Sequence, residues 1–241
     1  METKLIATLR ERLSASGYFG LQLVSGAVAL IGAGWMFGIL AEGVVDGEPL
    51  TVFDAQLAVW LHTHALASLT YLMLGVSAMN GIAGISILSV LLALYLAWKR
   101  EWYWLLWLAI ASPGGMLLNV LTKYAFHRDR PAFIDPIVTL TSYSFPSGHT
   151  AASTALYGTL AAFLMQRLNT PLQRALVLGA ALLMVILVGF SRMYLGAHYL
   201  SDVLAGMAEG LAWLAVCMVA VATLRRRHLG LRANAPLPDS S

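Results

Sequence analysis

Three short segments of the chain hold residue types that are costly in an otherwise apolar sequence. The first is Lys123-Tyr124-Ala125-Phe126-His127-Arg128-Asp129-Arg130-Pro131, and the second is Pro146-Ser147-Gly148-His149. The third is Ser191-Arg192, followed by His198 and Asp202. Lys123, Arg130 and Arg192 are three cations, two of them planar guanidiniums suited to gripping two phosphate oxygens at once. Ser147 and Gly148 stand where a helix is expected to open, and free N–H groups and the positive dipole end attract anions there. Gly148 has no side chain, so backbone and anion can approach closely. Together these residues imply a phosphate pocket.

The histidines add reactivity. His198 and Asp202 are four residues apart, which on a helix places them on one face within hydrogen-bonding reach. A carboxylate on one ring nitrogen fixes the tautomer and leaves the other nitrogen free as a nucleophile. His149, at a second helix mouth, is placed to protonate a leaving oxygen as general acid, a contribution of about 10²–10⁴-fold. The surrounding cations would stabilise charge on the transferring group.

Such a constellation needs rigid elements, and the composition says which kind. Of 241 residues 59% are hydrophobic and only 11% charged, with a mean hydropathy of +0.74. Soluble domains carry about 25% charge, so a soluble enzyme, a nucleic-acid module and a disordered chain are excluded. An integral membrane protein remains, and no nucleic-acid partner is expected. The single cysteine, Cys217, permits neither an intrachain disulfide nor a cysteine-based metal site.

A spanning helix needs about 20 mainly apolar residues. Candidate spans are Leu21–Ala41, Ile82–Trp98, Tyr103–Tyr124, His149–Met165, Ala175–Tyr194 and Val203–Leu224. The first is too long for a cleaved signal peptide, whose apolar region is about 7–15 residues. Glu42, Asp46, Glu48 and Pro49 mark a loop after it. Phe53, Leu57, Trp60 and Leu61 then recur at helical spacing, as in an amphipathic helix at the interface. Ala67–Met79 is expected as a short interfacial or half-inserted helix that Asn80-Gly81 breaks. Pro113-Gly114-Gly115 should kink the third span. The expected fold is therefore all-α: a six-span transmembrane bundle with an interfacial helical segment between spans one and two, forming one domain over 1–241.

Six spans place both ends on one side of the bilayer. Eleven of the fifteen Lys and Arg residues fall on that side, including Lys4, Arg10, Arg12, Arg225 and Arg232. The positive-inside rule then makes it cytoplasmic, with segments 1–19 and 225–241 as cytoplasmic ends. Trp98, Trp102, Trp104 and Trp107 beside Lys99 and Arg100 suggest an aromatic belt there. The four basic residues left outside are Lys123, Arg128, Arg130 and Arg192. Intramembrane charges of this kind are paired or functional. His62 and His64 are expected to face solvent or headgroups. Arg128 has no assigned role, and Glu209 either pairs inside the bundle or lines a lipid cavity.

Lys123-x₆-Arg130-Pro131, Pro146-Ser147-Gly148-His149 and Ser191-Arg192-x₅-His198-x₃-Asp202 together resemble the three signatures of the type 2 phosphatidic acid phosphatase (PAP2) superfamily, in order and in spacing. The resemblance implies a metal-independent lipid phosphatase of the bacterial inner membrane with no cofactor. It implies that His198 is transiently phosphorylated, Asp202 orients it and His149 is the general acid. Lys123, Arg130, Ser147, Gly148 and Arg192 would hold the phosphate at the extracytoplasmic face. The substrate would enter from the bilayer, with undecaprenyl pyrophosphate favoured over phosphatidylglycerol phosphate, phosphatidic acid and lipid A. Two other readings remain open: a lipid-to-lipid phosphotransferase, and a non-catalytic lipid binder or transporter.

Overall fold

Inside a bilayer the backbone has no water to bond with, and an α-helix satisfies each N–H and C=O within its own segment. The computed structural model describes residues 2–47 and 49–233, with side chains placed at 20, 23–47 and 49–228. Among these the chain forms α1 (Glu2–Asp46), α2 (Pro49–Thr63), α3 (Ala67–Met79), α4 (Ile82–Trp98), α5 (Trp102–Phe126), α6 (Gly148–Met165), α7 (Pro171–Tyr194) and α8 (Leu200–Ala233). No strand occurs among the described residues. The all-α membrane architecture expected from the composition is the one adopted. Of the ends expected to be cytoplasmic, residues 234–241 and the side chains of 1–19 lie outside the described residues.

Among the described residues four segments are long and apolar enough to cross a membrane: Leu23–Asp46 of α1, α5, α7 and Leu200–His228 of α8. The pair α2 and α3, bent by 120° at its break, makes a fifth if counted as one span. α4 falls short at 17 residues. α6 falls short in hydropathy because Thr150, Ser153, Thr154 and Thr159 are buried along it. Those hydroxyls suit its place: α6 packs against α4, α5, α7 and α8. Thr154 and Thr159 return their hydroxyl protons to the carbonyls of Thr150 and Ala155, one turn back, at 2.8 and 2.7 Å.

Several expectations are corrected. The first helix does not end at Ala41 but continues to Asp46, through the acidic stretch expected as loop. Leu40, Ala41 and Val44 pack against Phe145 and Ala205, which holds that last turn helical. The turn into α2 begins at Gly47, whose φ of +71° suits a residue without a Cβ. In α2 the buried residues are Asp54, Ala58 and Leu61, while Phe53 and Trp60 are exposed. The helix turns its acid inward and its aromatics outward. The tryptophan belt splits likewise: Trp98 and Trp102 are exposed, but Trp104 and Trp107 stack on each other in the core at 5.1 Å. α5 runs unbroken through Pro113, and a Cβ on Gly114 would lie 2.3 Å from the Trp213 ring, so the small residues there admit α8.

Candidate active site

The three motifs come from three different helix ends, and the connections between helices bring those ends together. Lys123 lies in the last turn of α5, which His127 closes in the left-handed conformation at φ +49°. Ser147 precedes α6, and its N–H donates to the Asp202 carbonyl at 2.9 Å, tying the mouth of α6 to α8. Arg192 lies in the last turn of α7. Its carbonyl accepts from the N–H groups of Ala197 and His198 at 2.9 and 3.3 Å, which folds His198 back beneath it.

Lys123, Arg130, Gly148, His149, Arg192 and His198 line one cavity of about 600 Å³. Ile82, Ile85, Leu108, Met116, Val120 and Leu156 line its apolar remainder. Two of the cations are aimed by a single strap of chain. Lys123 Nζ donates to the carbonyls of Tyr143 and Ser144 at 2.7 and 3.3 Å. Arg130 donates to the carbonyls of Ser142 and Tyr143 at 2.7 and 3.1 Å. Arg192 is 4% exposed and donates through Nη1 to Ser77 Oγ, while its Nε has no partner among the described residues. A buried guanidinium N–H without a partner is a donor available to an anion. Gly148 leaves space that a side chain would fill, since a Cβ there would meet Asn119 Oδ1 at 2.7 Å.

The reactive histidine can be assigned a tautomer. His198 Nε2 lies 3.2 Å from Arg130 Nη1. Arginine has no acceptor, so Nε2 carries the lone pair and Nδ1 the hydrogen. Nδ1 faces Asp202 Oδ2 at 3.4 Å, a long contact of the kind that tightens when substrate binds. Burial drives the His198 pKa down to about 3, although Asp202 opposes the shift. The ring is therefore neutral at neutral pH, with its free nitrogen facing the cavity.

Two assigned residues stand behind the cavity rather than in it. Ser147 is fully buried and its Oγ accepts from Thr150 at 3.0 Å. The Asp202 carboxylate, also fully buried, meets His198, Arg128 and the Tyr199 N–H rather than the cavity. His149 lines the cavity with neither ring nitrogen hydrogen-bonded among the described residues. Among the described residues no group of three or more His, Cys, Asp and Glu is arranged to hold a metal ion.

Residues 101–226, more than half of the chain, match the PAP2 superfamily. The chain belongs to that superfamily. It is 36% identical to phosphatidylglycerophosphatase B of Bacillus subtilis over 115 residues, which is 47% of this chain and 56% of that protein. It is 29% identical to an undecaprenyl-diphosphatase of Sulfolobus acidocaldarius over 183 residues, 74% of this chain and 82% of the relative. A crystal structure of a transmembrane PAP2-type phosphatidylglycerolphosphate phosphatase from Bacillus subtilis superposes with a TM-score of 0.71 at 28% identity, covering 82% of this chain and 96% of that one.

Residues other than the fixed members of the three motifs surround this candidate site. Arg128 Nη1 donates to Asp202 Oδ1 at 2.6 Å and Nη2 to Asp54 Oδ2 at 2.9 Å. Burial works against its charge, but Asp202 and Asp54 overcome that and raise its pKa above the ordinary guanidinium value. Glu209 is paired inside the bundle: it accepts from Asn119 Nδ2 at 2.6 Å and Thr122 Oγ1 at 2.7 Å. His62 is stacked on Phe133 rather than facing solvent, while His64 is exposed on Trp60. Asp54, Ser77 and Asn119 lie outside the site that the sequence predicts. For Asp54 and Asn119 the available signal is an acid or amide within an apolar helix, which in a membrane protein points inward; Ser77 carries no such signal.

Proposed function

We propose that this protein hydrolyses the phosphate or pyrophosphate ester of a membrane lipid through a phosphohistidine on His198, without a metal ion. The observation that carries this reading is one cavity with two ends. Three cations and two histidines meet at the polar end, and the remainder is apolar enough to hold the start of a lipid chain. Lys123, Arg130 and Arg192 bind the non-bridging oxygens, and the phosphate draws Arg130 from His198 Nε2. That nitrogen attacks phosphorus while His149 protonates the leaving oxygen. Water, deprotonated by His149, then attacks the phosphohistidine and releases phosphate and the free imidazole. Asp202 balances the positive charge that the ring acquires between the two steps.

In this proposal α1, α4, α5, α6, α7 and α8 are six spans, and the bent α2–α3 pair sits at the outer face beside the site. The ion pair between Arg167 and Glu101 joins the α6–α7 and α4–α5 connections, which supports placing both on the cytoplasmic side with the chain ends. Undecaprenyl pyrophosphate stands first and phosphatidylglycerol phosphate second, and three cations suit the three negative charges that either headgroup carries. Both are named as substrates in relatives.

The test is phosphate release by purified protein from undecaprenyl pyrophosphate, phosphatidylglycerol phosphate, phosphatidic acid and lipid A. Release is expected to survive EDTA, to be inhibited by vanadate and to vanish in His198→Ala. Turnover in that variant would reject the phosphohistidine. A phosphorylated lipid product without free phosphate would reject water as the acceptor.

A further inference from the structure

An alternating chain of charges runs from the bent helix pair to the reactive histidine. Asp54 of α2, with a fully buried side chain, accepts from Arg128 Nη2 at 2.9 Å, from the Ser201 N–H at 3.1 Å and from Ser201 Oγ. Arg128, whose side chain is 12% exposed, uses its other fork nitrogen on Asp202 Oδ1 at 2.6 Å and on Ser201 Oγ at 2.7 Å. The guanidinium lies over the Tyr199 ring, 4.3 Å from its centre. Asp202 then reaches His198 through Oδ2. Neither Asp54 nor Arg128 lines the cavity.

We infer that Asp54 is a positioning residue for His198, acting through Arg128 and Asp202. The inference rests on the phosphohistidine reading above. Two consequences follow from the geometry. A planar guanidinium with one fork nitrogen fixed on Asp54 holds the other in place, and this sets the plane of the Asp202 carboxylate so that Oδ2 faces Nδ1. Sharing one cation between two carboxylates also leaves net negative charge on Asp202. When Nε2 forms its bond to phosphorus, the ring becomes cationic, and that residual charge stabilises it. Without the Asp54 carboxylate, Arg128 would neutralise Asp202 alone and its fork would be free to rotate. The pocket cations do not touch Asp54, so phosphate binding should be spared while the chemical step slows.

Asp54→Asn, with Arg128→Lys as a second variant that keeps the charge but not the fork, tests this in detergent micelles. The substrate is whichever lipid of the panel the wild type hydrolyses fastest. The expected result is a kcat lowered by roughly 10- to 100-fold, taken from the cost of removing the outer hydrogen-bond partner of a metal-binding histidine, which is oriented in the same way. Competitive inhibition by inorganic phosphate should stay within about threefold of wild type. A folded Asp54→Asn at the wild-type rate would overturn the inference, as would parallel loss of kcat and phosphate affinity. Failure of both variants to fold assigns the chain of charges to structure alone and overturns it too. His198→Ala is measured alongside. Turnover there rejects the phosphohistidine itself, whereas an inactive His198→Ala beside a fully active Asp54→Asn rejects only the positioning role.

Discussion

Arg192→Lys separates the fork of a guanidinium from its charge at a position where the proposed mechanism uses both. In the described site Nη1 is committed to Ser77 and Nε has no partner, in a residue only 4% exposed. A buried donor left unmatched costs about 1–3 kcal/mol, and a phosphate oxygen at Nε removes that cost. A hydrogen bond to a charged group contributes about 1.5–3 kcal/mol. Lysine keeps the positive charge but offers its three donors from one rotating point, so it cannot hold Ser77 and a phosphate oxygen in the fixed geometry of the fork. Losing one charge-assisted bond corresponds to roughly a 10- to 150-fold drop in kcat/KM. The bond forms with the ground-state phosphate as well as in the transition state, so most of the loss should appear in KM. The assay is initial-rate phosphate release over a range of lipid concentrations at constant detergent, with thermal unfolding to confirm a folded variant. A folded Arg192→Lys within about threefold of wild type in kcat/KM would refute the reasoning, because the orphaned Nε would then have no part in binding.

Three further outcomes can be checked. Gly148→Ala places a Cβ 2.7 Å from Asn119 Oδ1, and Glu209 holds that amide at 2.6 Å so that it cannot swing away; the mouth of α6 must shift, and kcat/KM should fall by about tenfold or more in steady-state assays. Glu209→Ala leaves the buried Asn119 amide with only the long contact to the Pro146 carbonyl at 3.5 Å, at a cost of about 2 kcal/mol, expected to lower Tm by roughly 4–8 °C while the lipid KM changes little. His198 has its pKa lowered by burial to about 3 from an ordinary 6.5, so between these values the unfolded chain binds a proton that the folded protein refuses. Its contribution to stability is therefore lost as pH falls from 6.5 toward 3, and His198→Asn should flatten the dependence of Tm on pH across that window.

The parts of the site legible in sequence are those whose residue types are expensive anywhere in a bilayer and whose spacing is local. Lys123, Arg130, His149, Arg192 and His198 meet at one cavity, and the helices carrying them begin or end close to where the apolar runs predicted. Less legible were contacts made across large separations by residues that look ordinary within their own segment. The serine opposite Arg192 is 115 positions away in sequence, and the carboxylate that shares Arg128 with Asp202 lies on α2, 74 positions before Arg128. No local spacing encodes either pair.

The face that α2 buries has a more specific cause. In water, an amphipathic helix buries the side that carries Phe53 and Trp60 and exposes the side that carries Asp54. Against lipid the preference reverses, because an apolar side chain loses nothing by facing hydrocarbon while an acid must find partners inside the protein. The same reversal turns Trp98 and Trp102 outward and fills the centrally packed α6 with threonines and serines. Hydrophobic periodicity therefore locates the helices of such a chain but not the faces that meet. The faces are found by asking where each rare polar residue can be satisfied. Asked of Asp54, that question leads through Arg128 to Asp202 and the ring of His198, so the segment between the first two long apolar runs is tied to the chemistry rather than lying beside it.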